Sequence, residues 1–151
     1  MIVVELKEDR NDYVLEGERY SNIKYYQWVY IKPYADRLEP QLRAFIDTGA
    51  SISMLLFKDW EEIDKTMIPW EKVPELLKKL SSVTTNLNGQ YAFIQIRFDE
   101  TGEYLSLPVF LVRREDFGED SQKLILGSMG FLEQRSMILL PAMKDNSHYW
   151  Y

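Results

Sequence analysis

The sequence predicts a mostly β, barrel-like single domain with one or two short helices. Three observations carry this. Short runs rich in aromatic and β-branched residues recur along the chain. Polar and glycine-containing turn signals separate them. Only one stretch, Pro69 to Leu80, keeps helical spacing of its apolar residues. A length of 151 residues suits one domain with its own core, spanning 1–151.

The elements follow in order. Met1 to Leu6 predicts a short strand. Tyr25 to Tyr34 predicts a long one that ends at Pro33, because proline cannot donate to a sheet ladder. Asp36 to Pro40 is a polar turn. Gln41 to Asp47 predicts a strand with an acid at its C-terminal end, and Leu42, Ala44 and Ile46 alternate along it. Ile52 to Phe57 is a continuous apolar run, as in a buried strand. In the helical stretch Val73, Leu76, Leu77 and Leu80 share a face, and Pro74 suits a first turn. Ser81 to Phe98 predicts a hairpin with its tip at Asn88-Gly89. Thr101-Gly102 marks a turn. Tyr104 to Val112 predicts a strand whose Pro108 belongs at an edge or bulge. Lys123 to Leu126 and Met137 to Leu140 are short strands, with one or two helical turns over Met129 to Arg135.

Composition narrows the function. Cysteine is absent, which excludes disulfides and thiolate chemistry. The single histidine is His148, so a Ser-His-Asp triad or a multi-histidine metal site would hang on one residue near the end of the sequence. No metal or other cofactor is expected. The net charge of −6 argues against nucleic acid as a partner, since phosphate contacts need clustered cations. Lys78-Lys79 and Arg113-Arg114 read as solvated surface pairs. No apolar run reaches the roughly 20 residues of a membrane helix. The first ten residues lack the pattern of a signal peptide. The expected location is cytoplasmic, with no membrane partner.

The most informative segment is Phe45-Ile46-Asp47-Thr48-Gly49-Ala50-Ser51. An apolar strand delivers a carboxylate, a hydroxyl and a glycine into a tight loop. Taken alone, Asp-Thr-Gly also reads as an ordinary turn. Near the C-terminus Leu124-Ile125-Leu126-Gly127 is followed by Phe131-Leu132. Together these segments resemble the retropepsin-like aspartic proteases over about residues 25–140. The run Leu126-Gly127-Ser128-Met129-Gly130-Phe131-Leu132-Glu133 looks more like small bacterial and archaeal members than retroviral ones.

The resemblance implies a homodimeric endopeptidase acting on peptide or protein substrates. Each chain supplies one Asp-Thr-Gly loop, so Asp47, Thr48 and Gly49 form half a catalytic site. Thr48 is expected to bond across the two-fold axis. Ala50 and Ser51, with Asn88, Gly89 and Tyr91 of a flap hairpin, are expected to meet substrate; the same hairpin also reads as a surface element with its aromatic residues in the core. Leu126 and Gly127 are expected to pass behind the catalytic loop, although Gly127 also reads as a simple turn glycine. Phe131 and Leu132 are expected in the core of the following helix. Retroviral members pair an acid two residues after the motif glycine with an arginine after the second glycine. Here those positions hold Ser51 and Ser128, so the dimer brace is sought in the terminal segments Met1 to Leu6 and His148 to Tyr151. An alternative is a dimer of the same fold that binds peptides or proteins without cutting them. Residues 1–24 and the helix at 69–80 lie outside the resemblance.

Overall fold

A computed structural model describes residues 2–84, 89–112, 121–128, 131 and 137–140. The described chain is mostly β. Strands β1 (Ile2–Glu5) and β10 (Met137–Leu140) pair in parallel as a small separate sheet. The main sheet runs β2 (Lys7–Leu15), β3 (Glu18–Ile31), β4 (Gln41–Ile46), β9 (Lys123–Leu126), β5 (Met54–Leu56), β8 (Leu105–Val112), β7 (Gly89–Arg97), β6 (Lys65–Met67). β3 also reaches β7 through Tyr30↔Arg97 and Ile31↔Ile96, which curls the sheet back on itself.

The core explains this curl. Val29 and Ile31 of β3, Leu42 and Ala44 of β4, and Leu124 and Leu126 of β9 point inward. They meet Leu55, Ile94, Ile96, Leu107, Val109 and Leu111. Phe131 is fully buried among them, with its ring 6.2 Å from that of Phe98. A second cluster lies on the other face of β8, where Phe110 and Val112 pack with Ile52, Val73 and Tyr91. β8 is thus buried on both faces, which accounts for its nearly unbroken apolar sequence. Pro108 sits opposite Phe93 of β7, outside the Phe110–Val112 stretch that pairs with β5, so its missing N–H leaves no gap in that ladder.

The predicted helix is divided. A 3-10 turn covers Trp70–Lys72, and α1 runs from Glu75 to Thr84, immediately after Pro74. Leu77 packs on the second cluster. The hairpin predicted over Ser81 to Phe98 is corrected in its first arm: Ser81 to Thr84 continue α1, β7 begins at Gly89, and residues 85–88, with Asn88 of the predicted tip, lie outside the described residues. β8 pairs along β7 from Gly89 to Ile96, and β6 pairs with Ala92 to Ile94 on its other edge.

The long hairpin lies elsewhere. β2 and β3 pair from Lys7↔Tyr26 to Leu15↔Glu18 around a turn in which Glu16 and Gly17 have φ of 51° and 81°. Two positive φ values match the twist of a two-residue hairpin turn. β4 joins β3 only from Tyr25↔Ile46 onward, so the distal part of the ribbon extends beyond the end of β4. The strand predicted from Tyr25 therefore begins at Glu18. Among the described residues no helix is long and apolar enough to cross a membrane.

Candidate functional site

Asp47 stands where β4 leaves the sheet. β4 and β9 run parallel through Ala44↔Leu124, Phe45↔Ile125 and Ile46↔Leu126. The ladder continues one step further, with the Asp47 N–H donating to the Leu126 carbonyl at 3.0 Å. The chain then turns at once. The Gly49 N–H donates to Oδ1 of Asp47 at 3.0 Å, and the Ala50 N–H donates to the Asp47 carbonyl at 3.1 Å. An aspartate that accepts from the backbone two residues on is a local clamp on such a turn. Asp47, Thr48 and Gly49 are all exposed. Among the described residues the Thr48 hydroxyl and Oδ2 of Asp47 have no hydrogen-bond partner.

The far side of this loop is held from β9. Gly127 passes so close that a Cβ there would lie 2.5 Å from the Ile52 carbonyl oxygen and 2.8 Å from that of Ala50. Only a residue without a side chain tolerates that approach. The Gly127 N–H donates to the Ser53 hydroxyl at 3.0 Å, and Ser53 is 2% exposed. Ser128 donates twice to the Ala50 carbonyl, from its N–H at 3.0 Å and from its hydroxyl at 3.3 Å. The Ser53 carbonyl in turn accepts from the Phe110 N–H at 2.9 Å. The loop thus presents an exposed carboxylate on a backbone that is pinned on both sides. Ser53 was not singled out by the sequence reading. Its only sequence signal is a small polar residue inside the otherwise apolar run Ile52 to Phe57.

Asp47 opens onto a groove of about 290 Å³, lined by Tyr25, Phe45, Ile125, Lys24 and Lys123 among others. Phe45 and Ile125 are register partners, so they share the outer face of the sheet, away from Ala44 and Leu124. Asp47 is the one acid among the described lining residues. The Lys123 ammonium lies 5.6 Å from the Phe45 ring centre, and the Arg43 guanidinium 5.3 Å from it. Burial pushes the Lys123 pKa below its ordinary value, and the neighbouring charges of Lys24 and Arg43 push it the same way.

The expected flap residues are not gathered here. Asn88 lies outside the described residues. Gly89 opens β7 against Phe110, whose ring a Cβ would meet at 2.6 Å. Tyr91, expected at substrate, is 4% exposed. Its ring packs 5.0 Å from Phe110, and its hydroxyl donates to the Leu77 carbonyl at 2.9 Å. It belongs to the second core cluster because β7 needs an apolar face toward α1. Ala50 and Ser51 remain partly exposed beside Asp47. Leu126 is buried, and its carbonyl carries the contact to Asp47. Of the terminal segments, β1 is paired within its own chain, while His148 to Tyr151 and Leu132 lie outside the described residues. Comparison of the chain with protein-family models, with curated proteins and with solved structures finds no match.

Proposed function

We propose that this chain is an aspartic endopeptidase of the retropepsin-like type, active as a homodimer. The observation that carries the reading is the Asp47 loop: an exposed Asp-Thr-Gly turn, pinned from behind by Leu126, Gly127 and Ser128. The Thr48 hydroxyl, without a hydrogen-bond partner among the described residues, suits a bond across a two-fold axis.

The chemistry follows from pairing. Two Asp47 carboxylates brought together by a second copy cannot both ionise, and they share one proton; this is the established behaviour of aspartic protease dyads. The ionised member takes a proton from water as that water attacks the peptide carbonyl. The protonated member donates to the carbonyl oxygen, giving a tetrahedral diol with no covalent bond to the protein. The diol then collapses: the C–N bond breaks, the leaving nitrogen takes the proton that the first carboxylate had received from water, and a diol hydroxyl returns its proton to the second carboxylate, restoring the singly protonated pair. The titration belongs to the pair. Activity is expected to be highest on the acid side of neutral and to rise steeply with protein concentration where the dimer is weak.

The test is cleavage of a mixed peptide library by wild type and Asp47→Asn at about pH 4.5 and about pH 7, the range over which such a dyad changes charge. Cuts made by wild type alone, and more of them at the lower pH, are expected. Equal cutting by the variant, or a rate flat across that range, refutes the mechanism.

A second reading is a dimer of this fold that binds peptides without cutting them. One observation favours it: α1 and buried Tyr91 occupy the segment in which a closing flap was sought. A folded wild-type dimer that binds library peptides and cuts none selects this reading.

A further inference from the structure

The chain carries 24 acidic and 18 basic residues, yet the groove beside Asp47 has the opposite local balance. Alternation fixes which side chains share that face. Tyr26 pairs with Phe45, and Phe45 with Ile125, so Lys24, Arg43 and Lys123 project from the same side of three adjacent strands. Asp9, paired with Lys24 across the hairpin, is the counter-charge, and its carboxylate lies 3.8 Å from Arg43. Among the described residues, neither Lys24 nor Lys123 has a carboxylate within ion-pair distance. Lys123 is also partly desolvated over the Phe45 ring; that burial, then repulsion from Lys24 and Arg43, lowers its pKa, and the attraction of Asp9 offsets this only in part. A desolvated cation among like charges is stabilised by any anion that enters. The floor of the same groove is apolar, formed by Phe45 and Ile125.

We propose that this groove selects peptides in which an acidic side chain lies close to an apolar one, with Phe45 and Ile125 receiving the apolar residue and Lys24 and Lys123 the carboxylate. The proposal rests on the peptidase reading for the presence of a peptide in the groove. The two lysines determine specificity and take no part in proton transfer. An extended peptide advances about 3.3 Å per residue, so both side chains come from within a few residues of the bond at Asp47.

Binding separates this proposal from the chemistry. The probe is a fluorescein-labelled octapeptide with a central leucine–phenylalanine pair flanked by glutamates, beside a twin carrying glutamines. Both are titrated into Asp47→Asn protein, which leaves the peptides uncut, and anisotropy gives the two Kd values. The glutamate peptide is expected to bind about threefold to tenfold more tightly, the range for one or two partly exposed ion pairs. Added salt should narrow that ratio. Lys24→Met and Lys123→Met keep the apolar stems, and each should reduce the ratio; together they should bring it to about one. Lys123→Glu should reverse it. Equal affinity for the two peptides, no binding of either, or a ratio that survives the double variant overturns the proposal. Circular dichroism of each variant establishes that it is folded. Wild-type cleavage of the same pair tests the peptidase reading separately: no cutting alongside an intact binding preference removes the enzyme and leaves the selectivity of the groove.

Discussion

Replacing Gly127 by alanine adds a single methyl group at the tightest point behind the Asp47 loop. The added Cβ would sit 2.5 Å from the Ile52 carbonyl oxygen, 2.6 Å from its carbon and 2.8 Å from the Ala50 oxygen. All three atoms are backbone, so no side chain can rotate away. Relief requires β9 and the 50–52 segment to separate. That movement strains the Gly127 N–H bond to Ser53 and the two Ser128 bonds to Ala50. Overpacking of this kind costs about 1–3 kcal/mol. Weakening one buried hydrogen bond adds about 1 kcal/mol. The expected destabilisation is about 2–4 kcal/mol, or a fall in Tm of roughly 5–15 °C for a chain of this size. Urea unfolding followed by tryptophan fluorescence measures it, with Gly49→Ala as the control. There a Cβ meets only Oδ1 of Asp47, at 3.3 Å, so the cost should stay below about 1 kcal/mol. A Gly127→Ala protein within about 0.5 kcal/mol of wild type, the range of an ordinary surface change, refutes the close-packing argument.

Ser53→Ala removes the acceptor of the Gly127 N–H at a site 2% exposed, and leaving that donor unpaired should cost about 1–3 kcal/mol by the same urea assay; Ser53→Thr, which keeps a hydroxyl, distinguishes lost bonding from altered volume. The Asp99 carboxyl is held below its ordinary pKa of 3.8, first by the Thr101 N–H and then by the Thr101 hydroxyl. The folded state therefore binds its proton less readily than the unfolded chain, so Asp99 contributes stability above the unfolded pKa and loses it as pH falls through the folded one. Asp99→Asn should flatten the acid limb of the stability–pH curve below about pH 4 and leave its shape unchanged near neutrality; an unaltered acid limb contradicts the assignment.

Elements whose sequence pattern matched one physical cause were legible. β4, β8 and β9 are apolar because they are buried, and β4 delivers Asp47 at the predicted end. The close approach at Gly127 was open to two readings in the sequence, since a turn glycine and a packed glycine look alike. The β2–β3 ribbon was missed for a specific reason. Its residues are exposed on both faces, so no apolar alternation marks it, and its turn is Glu16-Gly17 in place of an asparagine–glycine pair. The hairpin at Asn88-Gly89 failed for the converse reason: a strong local turn signal said nothing about the residues before it, and Ser81 to Thr84 continue the helix in place of a first arm. The cationic rim was invisible because Lys24, Arg43 and Lys123 are remote in sequence and meet only through strand register.

The parallel β4–β9 pair also sets a timetable. Ser53 and Gly127 are separated by 74 positions, and Ala50 and Ser128 by 78. At synthesis rates of roughly 5–20 residues per second, Asp47 leaves the ribosome several seconds before the strand that pins its loop. During that interval β4 and β5 both lack β9, the strand that separates them in the finished sheet. The Asp47 turn has neither the Leu126 carbonyl nor the Ser128 donors to hold it. The loop around Asp47 therefore lacks its supports in every nascent or truncated chain that ends before Ser128. The same delay leaves the facing edges of β4 and β5 open to neighbouring chains until β9 arrives.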